Sequence, residues 1–525
     1  MDTLWQLIEM RAQSEPDRLF LRFENEEYSY ADLRHRVMAA ASALRAKGLK
    51  PGDRALLMMA SHPDHVVLHL ALAWIGCVSV ELSTHLKPAG IGLQIEDCDP
   101  QLMFIDASFA ADVHRALECG PNTSLRVLVR QASGGSNGSF ETFAATPVEG
   151  FSQDPHRGDL DRVQGISYTS GTTGRPKGAV LTERYYQFGA RSASLLADAK
   201  AGDVIFLWEP FHHIAAWMSI IIGLQHGLPI ALVERFSASQ CWDQMRRHGA
   251  TLFHYLGGAM NILLRQPPAP HDRDNPIRIA WGAAAPASSW REFEQRFGLI
   301  VREGYGLSEA QNFTHLNLDG RVGSIGKPIA EFDSWIEGPN GEKLASRQIG
   351  EIVVRAKVPN ITMQGYFRAP EQTREALKNG CVYTGDLGYM DEEGYFYYAG
   401  RKKDSLRRRG ENVSAWEVER VVNAHPAVEE SAVVGVPSEL GEQDIRVFVK
   451  LAPGKTLDPL DLINWCERDL AYYQIPRYVD FIQEFPRGPT QRIRKSDLPA
   501  SVADSWDLEK AGHTPRLRHQ RPDVQ

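Results

Sequence analysis

Cysteine is sparse. The chain has six in 525 residues, at positions 77, 98, 119, 241, 381 and 466, and none forms a C-x-x-C pair. That scatter excludes a disulfide scaffold and a structural zinc site. No charge of one sign dominates: 58 Lys and Arg stand against 66 Asp and Glu, a net charge of −8. Such a balance argues against a protein built to coat nucleic acid. Long apolar runs are also missing. The longest, residues 66–80, is interrupted by His69 and is too short to cross a bilayer. The first residues, MDTLWQLIEMRAQSEPDR, lack the basic and then apolar layout of a signal peptide. They read as an amphipathic helix with Leu4, Leu7, Ile8 and Ala12 at helical spacing. No internal repeat is apparent. With 43% hydrophobic, 24% charged and 9% aromatic residues, disorder is excluded as well. What remains is a cytoplasmic, enzyme-sized chain of two to four domains, with no nucleic-acid or membrane partner.

Helical patterns alternate with short apolar runs along the first third of the chain. Residues 31–46 predict a helix, 55–59 a strand and 63–76 a helix, which points to layered α/β structure. Residues 133–138, SGGSNG, predict a surface loop. From 336 to 398 the texture changes to short β runs with Gly turns, a β-rich subdomain. The charged run KKDSLRRRGEN reads as a hinge. Beyond it, a helix near 416–424, strands at 431–436 and 445–450 and a helix at 457–471 make a compact α+β unit. The tail after about residue 503 is polar and predicted to be poorly ordered.

The sharpest local signal is YTSGTTGRPKG, residues 168–178. An alternating strand leads in through Val163, Ile166 and Tyr168, and strand-like AVLT follows. Glycines let backbone N–H groups curl round an anion, hydroxyls donate further hydrogen bonds, and Lys177 supplies charge. This is triphosphate-cradle chemistry, although the GxxxxGK[ST] spacing of a Walker A loop fails. TSGTTGRPKG resembles the phosphate-binding signature of the adenylate-forming superfamily, which includes acyl-CoA synthetases, peptide-synthetase adenylation domains and luciferases. Further motifs follow in that family's order over roughly residues 5–498.

The resemblance implies an α/β fold: a large N-terminal domain of layered α/β subdomains plus a β-rich subdomain, with a small mobile α+β C-terminal domain. It sets an adenylation domain at 1–400, a hinge at 401–404, a C-terminal domain at 405–500 and a polar tail at 501–525. It implies that Thr169, Ser170, Gly171, Thr172, Thr173, Gly174 and Lys177 hold the phosphates. YGLSE resembles the YGxTE segment and implies an adenine-stacking role for Tyr305 beside Gly306, a phosphate contact for Ser308 and a magnesium contact for Glu309. WGAAAP implies that Gly282, Ala283 and Ala284 line adenine with their backbone. TGD implies that Asp386 accepts from the ribose hydroxyls, and GR implies that Arg401 reaches the ribose or phosphate. Lys403 falls where the family places its hinge residue, and RGEN with EVE, around Gly410, matches the downstream pattern. The basic run at 407–409 is either a solvated face or an attraction for coenzyme A phosphates. In PFHH, His213 occupies the motif histidine near the mouth of an acyl pocket. That pocket is expected within 211–260 and 280–315, with Trp217, His254 and Trp281.

One segment departs from the family. PRGPTQRIRK, residues 486–495, has Gln491-Arg492 where the family has Gly-Lys. Arg492 keeps the charge but is a planar fork, not a compact donor. Lys495, three residues on, is the alternative cation. The resemblance implies an ATP-dependent acid–thiol ligase that uses ATP, Mg²⁺ and coenzyme A on a small-molecule carboxylic acid. A stand-alone loader of a carrier protein and a nucleotide-binding pseudoenzyme are the rivals. Motifs in the C-terminal region look closest to the branch that contains carnitine/crotonobetaine-CoA ligases.

Overall fold

The structure is a computed structural model that describes residues 1–119, 125–130, 141–143, 154–156, 158–169, 177–402, 405–408, 411–438, 443–470, 472–487 and 493–513. The chain divides into two compact units. The first is Met1–Ser334 with Val353–Thr384, and the second is Trp335–Ile352 with Gly385–Gln525.

Two large sheets organise the first unit. One runs in the order Glu141–Phe143, Arg126–Arg130, Leu102–Asp106, Arg54–Met58, Val78–Glu81, Val163–Thr169, Lys177–Thr182. All its pairs are parallel except the last, which is antiparallel. The other has a parallel centre through Leu252–Leu256, Ile279–Ala283 and Ile300–Leu307, then turns antiparallel at Gln311–Asn317. Parallel strands are buried on both faces, so their residues alternate between two cores. Leu57 and Phe104 face a central core with Trp74 and Trp217, whereas Leu56, Met58, Met103 and Ile105 face a second cluster. In the other sheet Ile205 and Leu207 join the central core, and Phe206 and Phe253 pack on Trp242, Trp290 and Phe293.

Local signals set the elements within a few residues of expectation. The helix predicted over 31–46 is Tyr30–Ala46, begun by a capping box: Ser29 accepts from the Asp32 amide and Asp32 accepts from the Ser29 amide. The helix predicted over 63–76 is Pro63–Trp74, with Pro at its first turn and a left-handed Gly76 just past its end. Residues 133–138 lie outside the described residues. The β texture from 336 to 398 belongs to a five-stranded sheet containing Phe332–Glu337, Gly350–Ala356, Cys381–Met390 and Phe396–Arg401.

In the second unit, helices Ala415–Asn423 and Pro459–Asp469 pack on a four-stranded sheet ordered Val428–Pro437, Gln443–Leu451, Tyr478–Phe481, Trp506–Asp507. The last strand corrects the expectation of a poorly ordered polar tail. Trp506 and Asp507 pair with Val479 and Tyr478, and Leu508 is buried in the unit's core. Arg477 ties this end down, since its guanidinium pairs with both Asp444 and Asp507. Among the described residues, no helix is long and apolar enough to cross a membrane.

Candidate active site

Ser170, Gly171, Thr172, Thr173 and Gly174 lie outside the described residues. What the structure fixes is the base of their loop. The antiparallel ladder of Val163–Thr169 with Lys177–Thr182 sets Thr169 opposite Lys177. The Lys177 ammonium sits 5.3 Å from the ring centroid of Tyr366, a cation–π arrangement. The Tyr366 hydroxyl donates to Glu309 Oε1 at 2.6 Å. Glu309 occupies the turn between the strands Ile300–Leu307 and Gln311–Asn317, closed by a hydrogen bond from the Ala310 amide to the Leu307 carbonyl at 3.1 Å. One phenol therefore joins Lys177, at the start of its strand, to the acidic turn. The motifs supply Lys177 and Glu309; Tyr366 was missed, and only the GYF run at 365–367 hints at it.

Tyr305 and Gly306 lie in the strand that leads into this turn. The Tyr305 ring is mostly buried and meets His315 edge-on, with centroids 5.6 Å apart. Burial holds His315 neutral, its pKa pushed down to about 3. A Cβ on Gly306 would stand 2.2 Å from the Gln311 carbonyl oxygen, so no other residue fits. Ser308 lies in the same turn, half-buried.

The WGAAAP segment ends the strand Ile279–Ala283. At Gly282 a Cβ would meet the Tyr255 carbonyl oxygen of the neighbouring strand at 1.9 Å, so strand packing alone requires glycine there. Ala283 closes the strand, and Ala284 has φ 64°, a left-handed conformation that costs a non-glycine residue energy. Glu303 holds it. Its carboxyl accepts from the Ala284 amide at 2.7 Å, the Ala285 amide at 3.0 Å and the Tyr255 hydroxyl at 2.6 Å. Complete burial pushes the Glu303 pKa up to about 8, against the pull of those donors. Glu303 is the second residue that motif reading missed. Beside Arg302 in the strand sequence IVREGYGL it carries no local signal of burial.

In the second unit, Asp386 and Arg401 are direct cross-strand partners. Arg401 Nε lies 2.6 Å from Asp386 Oδ1. Glu351 accepts from the Gly385 amide at 3.0 Å and from Lys402 Nζ at 2.7 Å, which fastens the TGD turn to the strand carrying Arg401. Two motifs that are separate in sequence thus make one ion-paired rung. Lys403, Gly410 and Arg492 lie outside the described residues. Lys495 is engaged by Glu419 at 2.8 Å.

His213 occupies the position before the helix Ile214–His226 without a side-chain capping hydrogen bond, and its ring lies 4.3 Å from that of His212. Two residues expected at the acyl pocket are core residues here. Trp217 stacks on His69 at 3.5 Å, and Trp281 is fully buried against His254. His254 is itself buried and paired with the buried Glu209.

An antiparallel strand pair carrying Thr169 and Lys177 lies next to an acidic turn, on a body of two α/β sheets, and a small α+β unit belongs to the second part of the chain. The AMP-binding enzyme family matches residues 8–367, and the AMP-binding enzyme C-terminal domain matches residues 417–492. The chain belongs to the AMP-binding enzyme family. It is 28% identical over 501 residues to a crotonobetaine/carnitine–CoA ligase of Salmonella paratyphi A, covering 92% of this chain and 96% of that one. Its fold resembles o-succinylbenzoate CoA synthetase from Bacillus subtilis in complex with the acyl-adenylate intermediate, with a TM-score of 0.81 and 25% identity over 96% of this chain and 99% of that one. It likewise resembles ATP-bound MatB from Rhodopseudomonas palustris, with a TM-score of 0.81 and 26% identity over 94% and 98% of the two chains. The family resemblance and the α/β fold drawn from the motifs are both borne out.

Proposed function

We propose that this chain is an AMP-forming acid–thiol ligase acting in the cytoplasm. The carboxylate of a small-molecule acid attacks the α-phosphorus of ATP, an O–P bond forms, and the bond to pyrophosphate breaks. The thiol of coenzyme A then attacks the acyl carbon and AMP leaves. The observation that carries this reading is the linkage of Lys177 to Glu309 through Tyr366, in a chain of the AMP-binding enzyme family.

Each group has work to do in that reading. Thr169 to Gly174 and Lys177 hold the departing pyrophosphate, and Ser308 contacts phosphate. Positioning and charge neutralisation dominate a phosphoryl-centre displacement of this kind. Tyr305, Gly306 and the backbone of Gly282, Ala283 and Ala284 take adenine, while Asp386 and Arg401 take the ribose side. His213 stands at the mouth of the acyl pocket, and Lys403 and Gly410 belong to the hinge and the downstream segment. Magnesium fits the donor set. Among the described residues no group of three or more His, Cys, Asp or Glu side chains could hold a metal. A hard cation at Glu309 would need further oxygen donors, which phosphate oxygens and water can supply. When bound, it would neutralise phosphate charge.

Pyrophosphate exchange into ATP, measured with a panel of carboxylic acids, tests the ligase reading. Exchange with at least one acid is expected, and none with any acid would refute it. Adding coenzyme A should then yield a thioester; acyl-adenylate alone would favour loading of a carrier protein.

The cation for adenylation is Arg492 in this reading, because the Lys495 ammonium is already engaged by Glu419. Arg492→Lys should raise the exchange rate, and Lys495→Ala should leave most of it. The reverse pattern would move the role to Lys495.

A further inference from the structure

Tyr366 has no place among the motifs, yet it touches both charged groups of the adenylation reading. Its backbone is stitched to the strand that carries Lys177. Tyr366 bridges Ala179, the Val180 amide donates to the Gly365 carbonyl, and the Phe367 amide donates to the Gly178 carbonyl. The same short stretch holds the acidic turn, since the Met363 amide donates to the Glu309 carbonyl at 3.1 Å. Gly365, at φ 134°, lets the chain turn here, where a Cβ would crowd Thr373 at 2.8 Å. The Thr373 hydroxyl in turn accepts from the Tyr366 amide at 2.8 Å. The phenol is thus fixed at both ends, its face toward the Lys177 ammonium and its hydroxyl on the Glu309 carboxylate.

We infer that Tyr366 is a positioning residue for adenylation: one side chain sets the spacing between the cation that meets phosphate and the carboxylate that meets the metal. The inference rests on the ligase reading. A hydrogen bond to an ionised carboxylate is short and directional, so it fixes which oxygen of Glu309 remains open. The ring face attracts the ammonium without neutralising it, so Lys177 keeps its full charge for the triphosphate. The two contacts are chemically separable, because Tyr366→Phe removes the hydroxyl and keeps the ring, whereas Tyr366→Leu removes both.

Pyrophosphate exchange separates them. With ATP saturating and Mg²⁺ varied, Tyr366→Phe should need roughly tenfold more Mg²⁺ for half-maximal exchange, the scale of losing one hydrogen bond to a charged group. Its KM for ATP should stay within about twofold of wild type, since the ring remains. Tyr366→Leu should show the same rise in Mg²⁺ requirement and, in addition, a rise in KM for ATP of about fivefold, the scale of a lost cation–π contact. A residue that merely supports the fold would lower kcat and the melting temperature and leave both requirements unchanged. That outcome overturns the inference, as does a Tyr366→Phe enzyme with the wild-type Mg²⁺ requirement. If Tyr366→Leu does not fold, the Phe variant decides alone. Absence of exchange in the wild type with every acid would instead remove the ligase reading beneath it.

Discussion

Glu309→Ala is expected to reduce pyrophosphate release by roughly 10²- to 10³-fold, the scale of removing one preorganised group that faces developing charge. Nothing about the fold depends on this carboxylate. It is half-exposed in a hairpin turn, and the turn is closed by backbone hydrogen bonds. Glu309→Gln sharpens the result, because the amide keeps the size and can still accept from the Tyr366 hydroxyl. If charge at the metal and phosphate is what matters, the Gln variant should be nearly as slow as the Ala variant. If Glu309 only anchors Tyr366, Gln should restore most of the rate. Circular dichroism should show both variants folded. A fully active Glu309→Ala enzyme would remove this residue from the chemistry.

The resemblance of short motifs to the family singles out Lys177, Glu309, Asp386 and Arg401, and the structure places Asp386 against Arg401. Short motifs carry their own geometry: glycine at 306 and 282 is dictated by carbonyl oxygens 2.2 and 1.9 Å from where a Cβ would stand. What stayed hidden depends on contacts between distant segments. Tyr366 and Glu309 are 57 residues apart, and no periodicity links them. Asp386 and Arg401 are fifteen residues apart, and only hairpin register sets them opposite each other. Trp217, expected near the acyl pocket, packs in the central core, where His69 of another helix offers it a stacking face. An aromatic near a motif obeys packing first. The tail shows the same limit in reverse. Its polar composition hid a two-residue strand and one buried leucine, held by the partners of Arg477.

Relative to a Glu303→Leu variant, the wild type should lose stability as pH rises from 6.5 to 8. Its carboxyl is fully buried, and burial raises its pKa to about 8 from the usual value of 4.5. In the unfolded chain the group ionises near its ordinary value, so between about 4.5 and 8 the native state holds a proton that the unfolded state has lost. The stabilisation is complete below the lower value and disappears as pH climbs through the upper one. The slope is ~1.4 kcal/mol per pH unit for one such proton. Both protonation states have partners. Neutral Glu303 can donate to the Tyr255 oxygen while the Tyr255 hydroxyl donates to the Arg302 carbonyl at 3.1 Å. Ionised Glu303 accepts from Tyr255 and from the amides of Ala284 and Ala285. Burial nevertheless favours the neutral form. Buried histidines such as His315, held low by burial, are still partly charged in the unfolded chain at pH 6.5 and add an opposing slope up to about pH 7.5, but that slope is common to wild type and variant, so the difference between the two proteins isolates the carboxyl. Glu303→Leu leaves two amides without their acceptor and should be less stable throughout, by about 1–3 kcal/mol for each unsatisfied group. The gap between its urea midpoint and that of the wild type should narrow from pH 6.5 to 8. Parallel curves for the two proteins would show that Glu303 is already ionised in the folded chain, held there by its three donors.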